Sequence, residues 1–306
     1  NNARLNVGLQ GVGVSEHALQ DATRYALERK QGKAKGYEGS APIVAHPDIR
    51  RMLGIMRART EAARIIAYRA AAALDVATSS PDEAVKAAAQ ARVDLLIPVV
   101  KGWSTENAVE VASLGIQVHG GMGFVEETGA TQHLRDARIT TIYEGTTGIQ
   151  ALDLVGRKIM RDQGEALRTL TADMRASQAK LTDDLGQGVN WAAMATMVGE
   201  AAETLEAIAD WLLECGHNHS SEPQAAAVSV LHAFGLSIGA WCMADAAAAA
   251  ARKLNEGSTA RHLLGKLRIA EFYRGQLFPR AAAAKAIAVG GAESVLALEP
   301  ALLMLD

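Results

Sequence analysis

The chain has 306 residues, a formal net charge of −3 and an aromatic content of 4%. That length can bury a sizeable core and predicts two domains. Near-neutral charge and scarce aromatics argue against nucleic acid or an acidic membrane surface as a partner.

Seven prolines occur, and no segment alternates apolar and polar residues with β-branched enrichment, so the reading is all-α. A first helix is predicted from about Ala3 to Lys30, with Leu5, Val7, Leu9, Val12, Leu19 and Tyr25 facing inward. Gly32 to Pro47 reads as a functional loop rich in Gly, Lys and Pro. Pro47 opens a second helix to about Thr78, since proline suits a first helical turn. Ser79–Asp82 marks the next turn, and a third helix follows to about Val118, with a bend expected near Pro98. After the Gly120–Gly123 turn come a short helix near Gln132–Arg138, a connection through Tyr143, and a helix from about Gly145 to Arg161. This order predicts an antiparallel four-helix bundle.

A boundary is predicted at Asp162-Gln163-Gly164, dividing the chain into residues 1–162 and 163–306. The second unit reads as another helical bundle, with segments near Glu165–Leu185, Trp191–Cys215, Pro223–Leu254 and Ala260–Val289, the last broken near Pro279. Trp191, Trp211 and Trp241 are its expected core anchors. Cys215 and Cys242 both lie in helical pattern and make no disulfide framework, which predicts a reducing, cytoplasmic setting. No apolar run is expected to reach the length of a membrane span, and Ala246–Ala251 reads as part of a tightly packed helix. No signal-peptide pattern is present, and the lack of an initiator Met before Asn1 suggests a processed chain or a fragment. His217 and His219 do not share a helical face and no third ligand is evident, so no metal is expected.

The chemistry concentrates between Gln117 and Gln150. Glu144 alone reads as a carboxylate favoured by the N–H groups and dipole of the helix that follows. Its neighbours add to that: Gly145 permits close approach of backbone, and Thr146 and Thr147 bring hydroxyls beside exposed N–H groups. A carboxylate desolvated by an apolar ligand can act as a general base. Gly120-Gly121-Met122-Gly123 reads either as a tight connection or as backbone open to a pyrophosphate or ribose. It is neither a P-loop, because no Lys-Ser or Lys-Thr follows, nor a dinucleotide fingerprint, because no strand precedes it. Arg29 and Lys30 suit the negative end of a helix dipole, and Arg135-Asp136 reads as an ion pair or helix-end device.

Three blocks, Ala3–Lys30, Gln117–Phe124 and Arg135–Gln150, resemble the C-terminal half of the acyl-CoA dehydrogenase family in order and spacing, over about residues 1–160. His46–Met52 and the helical unit after Gly164 are similar to the 3-methylmercaptopropionyl-CoA dehydrogenase branch. The resemblance implies that Glu144 is the catalytic base, removing the α-proton of an acyl-CoA thioester while a hydride passes from the β-carbon to FAD. It implies that the Glu144 backbone N–H, with Gly145 beside it, lies on the substrate side, together with Arg4. Gln117, Gly120, Gly121, Arg29 and His46 match positions that hold the partner subunit's FAD, and Thr146 matches a contact to the chain's own FAD.

A homodimer or dimer of dimers, and an electron-transferring flavoprotein as electron acceptor, follow as implied partners. Gln31, Gly148, Gly156 and the insertion Gly32–Ala41 depart from the family pattern. Family members complete the site with an N-terminal helical domain and a middle β domain, so the isolated chain is expected to be inactive. Two other readings stay open: an acyl-CoA oxidase using the same base, and a helical module that only oligomerises.

Overall fold

The computed structural model describes residues 1–186 and 188–303. Eleven α-helices account for most of them, and no strand occurs among the described residues. The bundle begins with α1 (Asn2–Glu28), α2 (Pro47–Ser79) and α3 (Glu83–His119). Asp82 caps α3 by accepting the N–H groups of Ala84 at 2.8 Å and Val85 at 3.2 Å. Pro98 lies inside α3 without ending it.

The Gly120–Gly123 turn contains the single-turn α4 (Gly121–Phe124), followed by α5 (Ala130–Thr140). The fourth bundle helix is wound in two ways: α6 (Thr147–Leu152) passes into a π-helix over Asp153–Met160. The apolar periodicity of Gly145–Arg161 fits ordinary α-winding and does not reveal this change.

Long-range pairs fix the directions. Asn1 reaches Asp94, Gly8 faces Val100 and Tyr25 stacks on His119, so α1 and α3 run the same way. They approach closely because Gly8 has no side chain: a Cβ there would stand 2.5 Å from Val100 Cγ1 and 2.7 Å from the Val100 carbonyl oxygen. The fourth helix runs against α3, from Thr147 beside Glu106 to Lys158 beside Asp94. This is the expected antiparallel bundle, with α1 and α3 as its parallel pair. The Gly32–Ala41 insertion folds back on itself through Gln31 N–H to Ala41 O at 2.9 Å and Ala41 N–H to Gly32 O at 2.9 Å.

Beyond residue 164 come α7 (Glu165–Gln178), α8 (Trp191–His217), α9 (Glu222–Asn255), α10 (Arg261–Gln276) and α11 (Pro279–Leu296). The predicted Glu165–Leu185 helix stops seven residues early, and a separate 3₁₀ turn covers Asp183–Leu185. Contrary to the sequence-level expectation, α9 has the length and composition of a membrane span. Its most apolar window is 83% buried within the protein, because α9 packs against α8, α10 and α11 and also lies against α2, α3 and α6.

One hydrophobic core therefore runs from Val93, Ile97 and Trp103 of α3 through Leu154 and Ile159 into Leu205, Phe234 and Tyr273 of the second unit. A smaller core of Leu19, Met52, Met56 and Val111 closes the other end of the first bundle. Trp191 and Trp241 are buried, and each finds an acceptor for its indole N–H: Gly186 O at 2.7 Å and Ser177 Oγ at 2.9 Å. Trp211 is only half-buried. Cys215 and Cys242 are free and buried, and burial pushes each thiol up to about 11.

Candidate active site

Glu144 sits on the turn between α5 and α6, at φ 56°, a left-handed conformation that is costly for a residue with a Cβ. Gly145 follows at φ 91°, which only glycine adopts readily. The Glu144 side chain is exposed, and its carboxylate has no hydrogen bond or ion pair among the described residues. Its backbone N–H likewise meets no acceptor there.

The turn is fastened from behind. Gln150 Nε2 donates to Glu144 O at 3.1 Å and to Gly145 O at 3.4 Å. Lys101 Nζ, from α3, donates to Gly145 O at 2.6 Å. Thr147 Oγ1 donates to Glu106 Oε1 at 2.5 Å, and Thr146 caps α6 by accepting the Ile149 N–H at 3.4 Å. Carboxylate and free N–H are thus presented together on a rigidly held turn. Ile142, Tyr143, Ile149 and Leu152 stand exposed around it.

Arg4 lies behind the same helix. Its guanidinium donates to Asp153 Oδ2 at 2.6 Å, to Gln150 Oε1 at 3.3 Å and to Asn1 Oδ1 at 2.7 Å. Arg157 Nε completes the pairing by donating to Asp153 Oδ1 at 2.5 Å. Burial pushes the Asp153 carboxyl up, but the bonds from Arg4 and Arg157 outweigh it and leave the group below its usual range. A carboxyl depressed in the folded state stabilises above its unfolded value and loses that contribution as pH falls through the folded value. Asp153→Asn should therefore cost on the order of 1–3 kcal/mol at neutral pH. In thermal melts from pH 7 downward, the gap between variant and parent should close in acid below about pH 4, the unfolded carboxyl value.

The residues matched to flavin binding gather elsewhere. Arg29, at the end of α1, is exposed and has no ion pair among the described residues. His46 Nε2 lies 2.8 Å from Gln31 O, and Ile43 N–H bonds Arg29 O at 2.8 Å, which keeps the two sites close. Gln117, Gly120 and Gly121 lie at the C-terminal end of α3, the same end of the bundle. Gln117 is exposed, and a Cβ built on Gly120 or Gly121 would meet nothing within 4 Å. From Glu106, beside the Glu144 turn, to Gln117 is roughly 16 Å along α3 at about 1.5 Å per residue. The structure thus places Arg29, His46, Gln117, Gly120 and Gly121 at one end of the bundle, and separately groups Glu144, Gly145 and Thr146 with Arg4 behind them.

The supporting roles of Lys101, Glu106 and Gln150 have no local sequence signal, because a Lys and a Glu in a helix and a Gln near its start are common without one. Arg135 and Asp136 do not pair with each other: Arg135 bonds Glu126 at 3.0 Å, and Asp136 accepts from Gln132 at 2.6 Å. Adjacent helical positions point in different directions, which rules out the pair suggested by adjacency. His17, Asp21 and His133 converge, but Arg24 takes the remaining oxygen of Asp21 at 3.1 Å, so the group reads as an ion-pair network.

The sequence matches the acyl-CoA dehydrogenase C-terminal domain over residues 1–160 and the acetyl-CoA dehydrogenase C-terminal-like family over residues 164–299. It is 42% identical over 280 residues to a 3-methylmercaptopropionyl-CoA dehydrogenase of Ruegeria pomeroyi, covering 90% of this chain and 47% of that protein. It is 34% identical over 154 residues to a subunit of the caffeyl-CoA reductase–Etf complex of Acetobacterium woodii, covering 50% of this chain and 35% of that protein. A crystal structure of an acyl-CoA dehydrogenase complexed with FAD from Bacillus anthracis shares the fold, with a TM-score of 0.71 at 21% identity, covering 98% of this chain and 50% of that one. The chain spans about half the length of the curated relatives it matches over most of its residues. With its family match extending over more than half of the sequence, the chain belongs to the acyl-CoA dehydrogenase family, whose C-terminal domain it carries.

Proposed function

We propose that this chain supplies the catalytic base and part of the flavin-holding surface of an FAD-dependent acyl-CoA dehydrogenase. The observation that carries the reading is the base turn: Glu144 has an unpaired carboxylate and a free backbone N–H on one held turn. Glu144 takes the α-proton of an acyl-CoA thioester. Its N–H donates to the thioester carbonyl, stabilising the negative charge that grows there as the proton leaves. FAD, when bound, supplies the acceptor for the β-hydride.

The chain's own residues fit FAD. Gly120 and Gly121 leave their backbone open to close approach, and Arg29 offers an exposed cation to a pyrophosphate. In the proposed assembly Arg29, His46, Gln117, Gly120 and Gly121 serve the partner subunit's FAD and Thr146 serves the chain's own. The distance between the two groups along α3 supports this division, and with it a homodimer or dimer of dimers. The match to the Ruegeria pomeroyi enzyme supports a 3-methylmercaptopropionyl-CoA-like substrate. The Etf-complex relative supports an electron-transferring flavoprotein as acceptor. We further propose a cytoplasmic location, supported by the two unpaired buried thiols, and two units meeting at residues 162–163.

Mixing the whole protein with the thioester without oxygen tests the reading. Bleaching of the flavin is expected, and a flavin left fully oxidised by acyl-CoA thioesters would count against it. Arg29→Ala should weaken FAD retention by about 10-fold or more, since a charge-assisted bond to phosphate is worth about 1.5–3 kcal/mol. Equilibrium dialysis of flavin from the variant reads this, and unchanged affinity removes Arg29 from the site.

A further inference from the structure

Lys101 lies on α3 with no exposed surface, an unusual place for an ammonium group. Its one side-chain hydrogen bond among the described residues runs 2.6 Å to the carbonyl of Gly145, adjacent to Glu144. The charges it faces are Glu106, on its own helix, and Glu144, across the turn. Burial lowers the Lys101 ammonium from its ordinary value, and the two carboxylates oppose that shift.

A buried cation needs a reason, and the turn needs a constraint. Glu144 at φ 56° is held in a conformation that an unrestrained Glu leaves, and Gly145 at φ 91° could rotate freely to release it. What prevents this is the pinning of the two successive carbonyls: Gln150 holds both, and Lys101 adds a short charged bond to the second. Gln150 sits on α6, the short helix that follows the turn, and Thr147 ties that helix to Glu106, so Lys101 is the donor from α3 that reaches a carbonyl of the turn itself.

We propose that Lys101 is the positioning residue of the proton-transfer step, fixing the Gly145 peptide so that the Glu144 carboxylate is aimed at the α-proton of the thioester. This rests on the reading of Glu144 as the base. Lys101 touches neither substrate nor flavin. Its effect belongs to the geometry of the transition state, where a misplacement of about 1 Å can cost roughly 100-fold.

The test uses the whole protein with Lys101→Met, Glu144→Gln and the double variant. Lys101→Met should keep FAD, keep the thioester Kd within about threefold, and lower the limiting rate of anaerobic flavin bleaching at least 30-fold, the pattern of an interaction used only in the transition state. The double variant should bleach no more than about threefold slower than Glu144→Gln alone, because Lys101 acts through Glu144. In the flavin-free protein, amide exchange over residues 142–148 should speed at least tenfold in Lys101→Met while α8 and α9 exchange as before. Lys101→Gln, a milder change, carries the same expectations.

A Lys101→Met rate within threefold of the parent overturns the proposal, as does a loss that multiplies with Glu144→Gln. Loss of flavin or of helix content in both Lys101 variants also overturns it, since Lys101 would then support the fold and not the base. The two readings fail differently. An inactive Glu144→Gln with a normal Lys101→Met removes only the positioning role. A Glu144→Gln that bleaches normally removes the base, and the positioning role with it.

Discussion

Glu144→Gln in the whole protein should slow substrate-dependent flavin bleaching by about 10²–10⁴-fold, the range expected when a positioned general base is lost. Gln has nearly the shape of Glu, and the Glu144 carboxylate makes no internal bond that the substitution could break. The backbone bonds that hold the turn run to the carbonyls of Glu144 and Gly145, so they survive, as does the free N–H. FAD content and thioester affinity should therefore remain near the parent values while the limiting rate falls. That separation distinguishes the assignment from a structural one. If Glu144 only supported the helix start, Gln would weaken stability slightly and leave bleaching intact. Near-normal bleaching would end the base assignment.

The Glu144 turn could be located in the sequence because Tyr143-Glu144-Gly145-Thr146-Thr147 is a local motif with fixed spacing to Gln117 and Gly120. The helices could be placed from apolar periodicity and from Pro47, Asp82 and the glycine turns. What supports the turn was not readable there. Lys101 meets Gly145 across 44 positions, Glu106 meets Thr147 across 41, and Arg4 meets Asp153 across 149. No periodicity encodes such contacts; only packing creates them. The burial of α9 has the same origin. An apolar helix of this length reads alike whether lipid or protein covers it, and here helices before and after residue 164 cover it.

That shared cover makes Gly235→Ala the second large effect. Gly235 lies on α9 where the helix crosses the indole of Trp103, and a Cβ there would stand 2.2 Å from Cγ and 2.4 Å from Cδ1 and Cδ2 of the ring. Trp103 is only 1% exposed and lines the cavity beside Arg59, Asn107 and His232, so the ring can yield only by turning toward that side. Either α9 retreats from α3 or the indole leaves its rotamer, and overpacking of this kind costs about 1–3 kcal/mol. Alanine is otherwise the better helix former by about 1 kcal/mol, so a net loss of stability requires the clash to exceed that gain.

The sign supplies the control. With Trp103→Ala as the background the clash is gone, and Gly235→Ala should become neutral or stabilising by up to about 1 kcal/mol. Denaturant titration of the four proteins measures both arms. A Gly235→Ala loss of the same size in both backgrounds would mean that α9 does not bear on Trp103. The consequence reaches the site, because Gly102, between Lys101 and Trp103, has room for a hydrogen only: a Cβ on it would meet Leu231 of α9 at 2.6 Å and Gln150 at 3.2 Å. An α9 displaced by Gly235→Ala therefore shifts the helix that carries Lys101 and loosens the contact behind Gln150, so the variant should also slow flavin bleaching without touching the turn. On this argument the helices beyond residue 164 are part of what holds Glu144 in place.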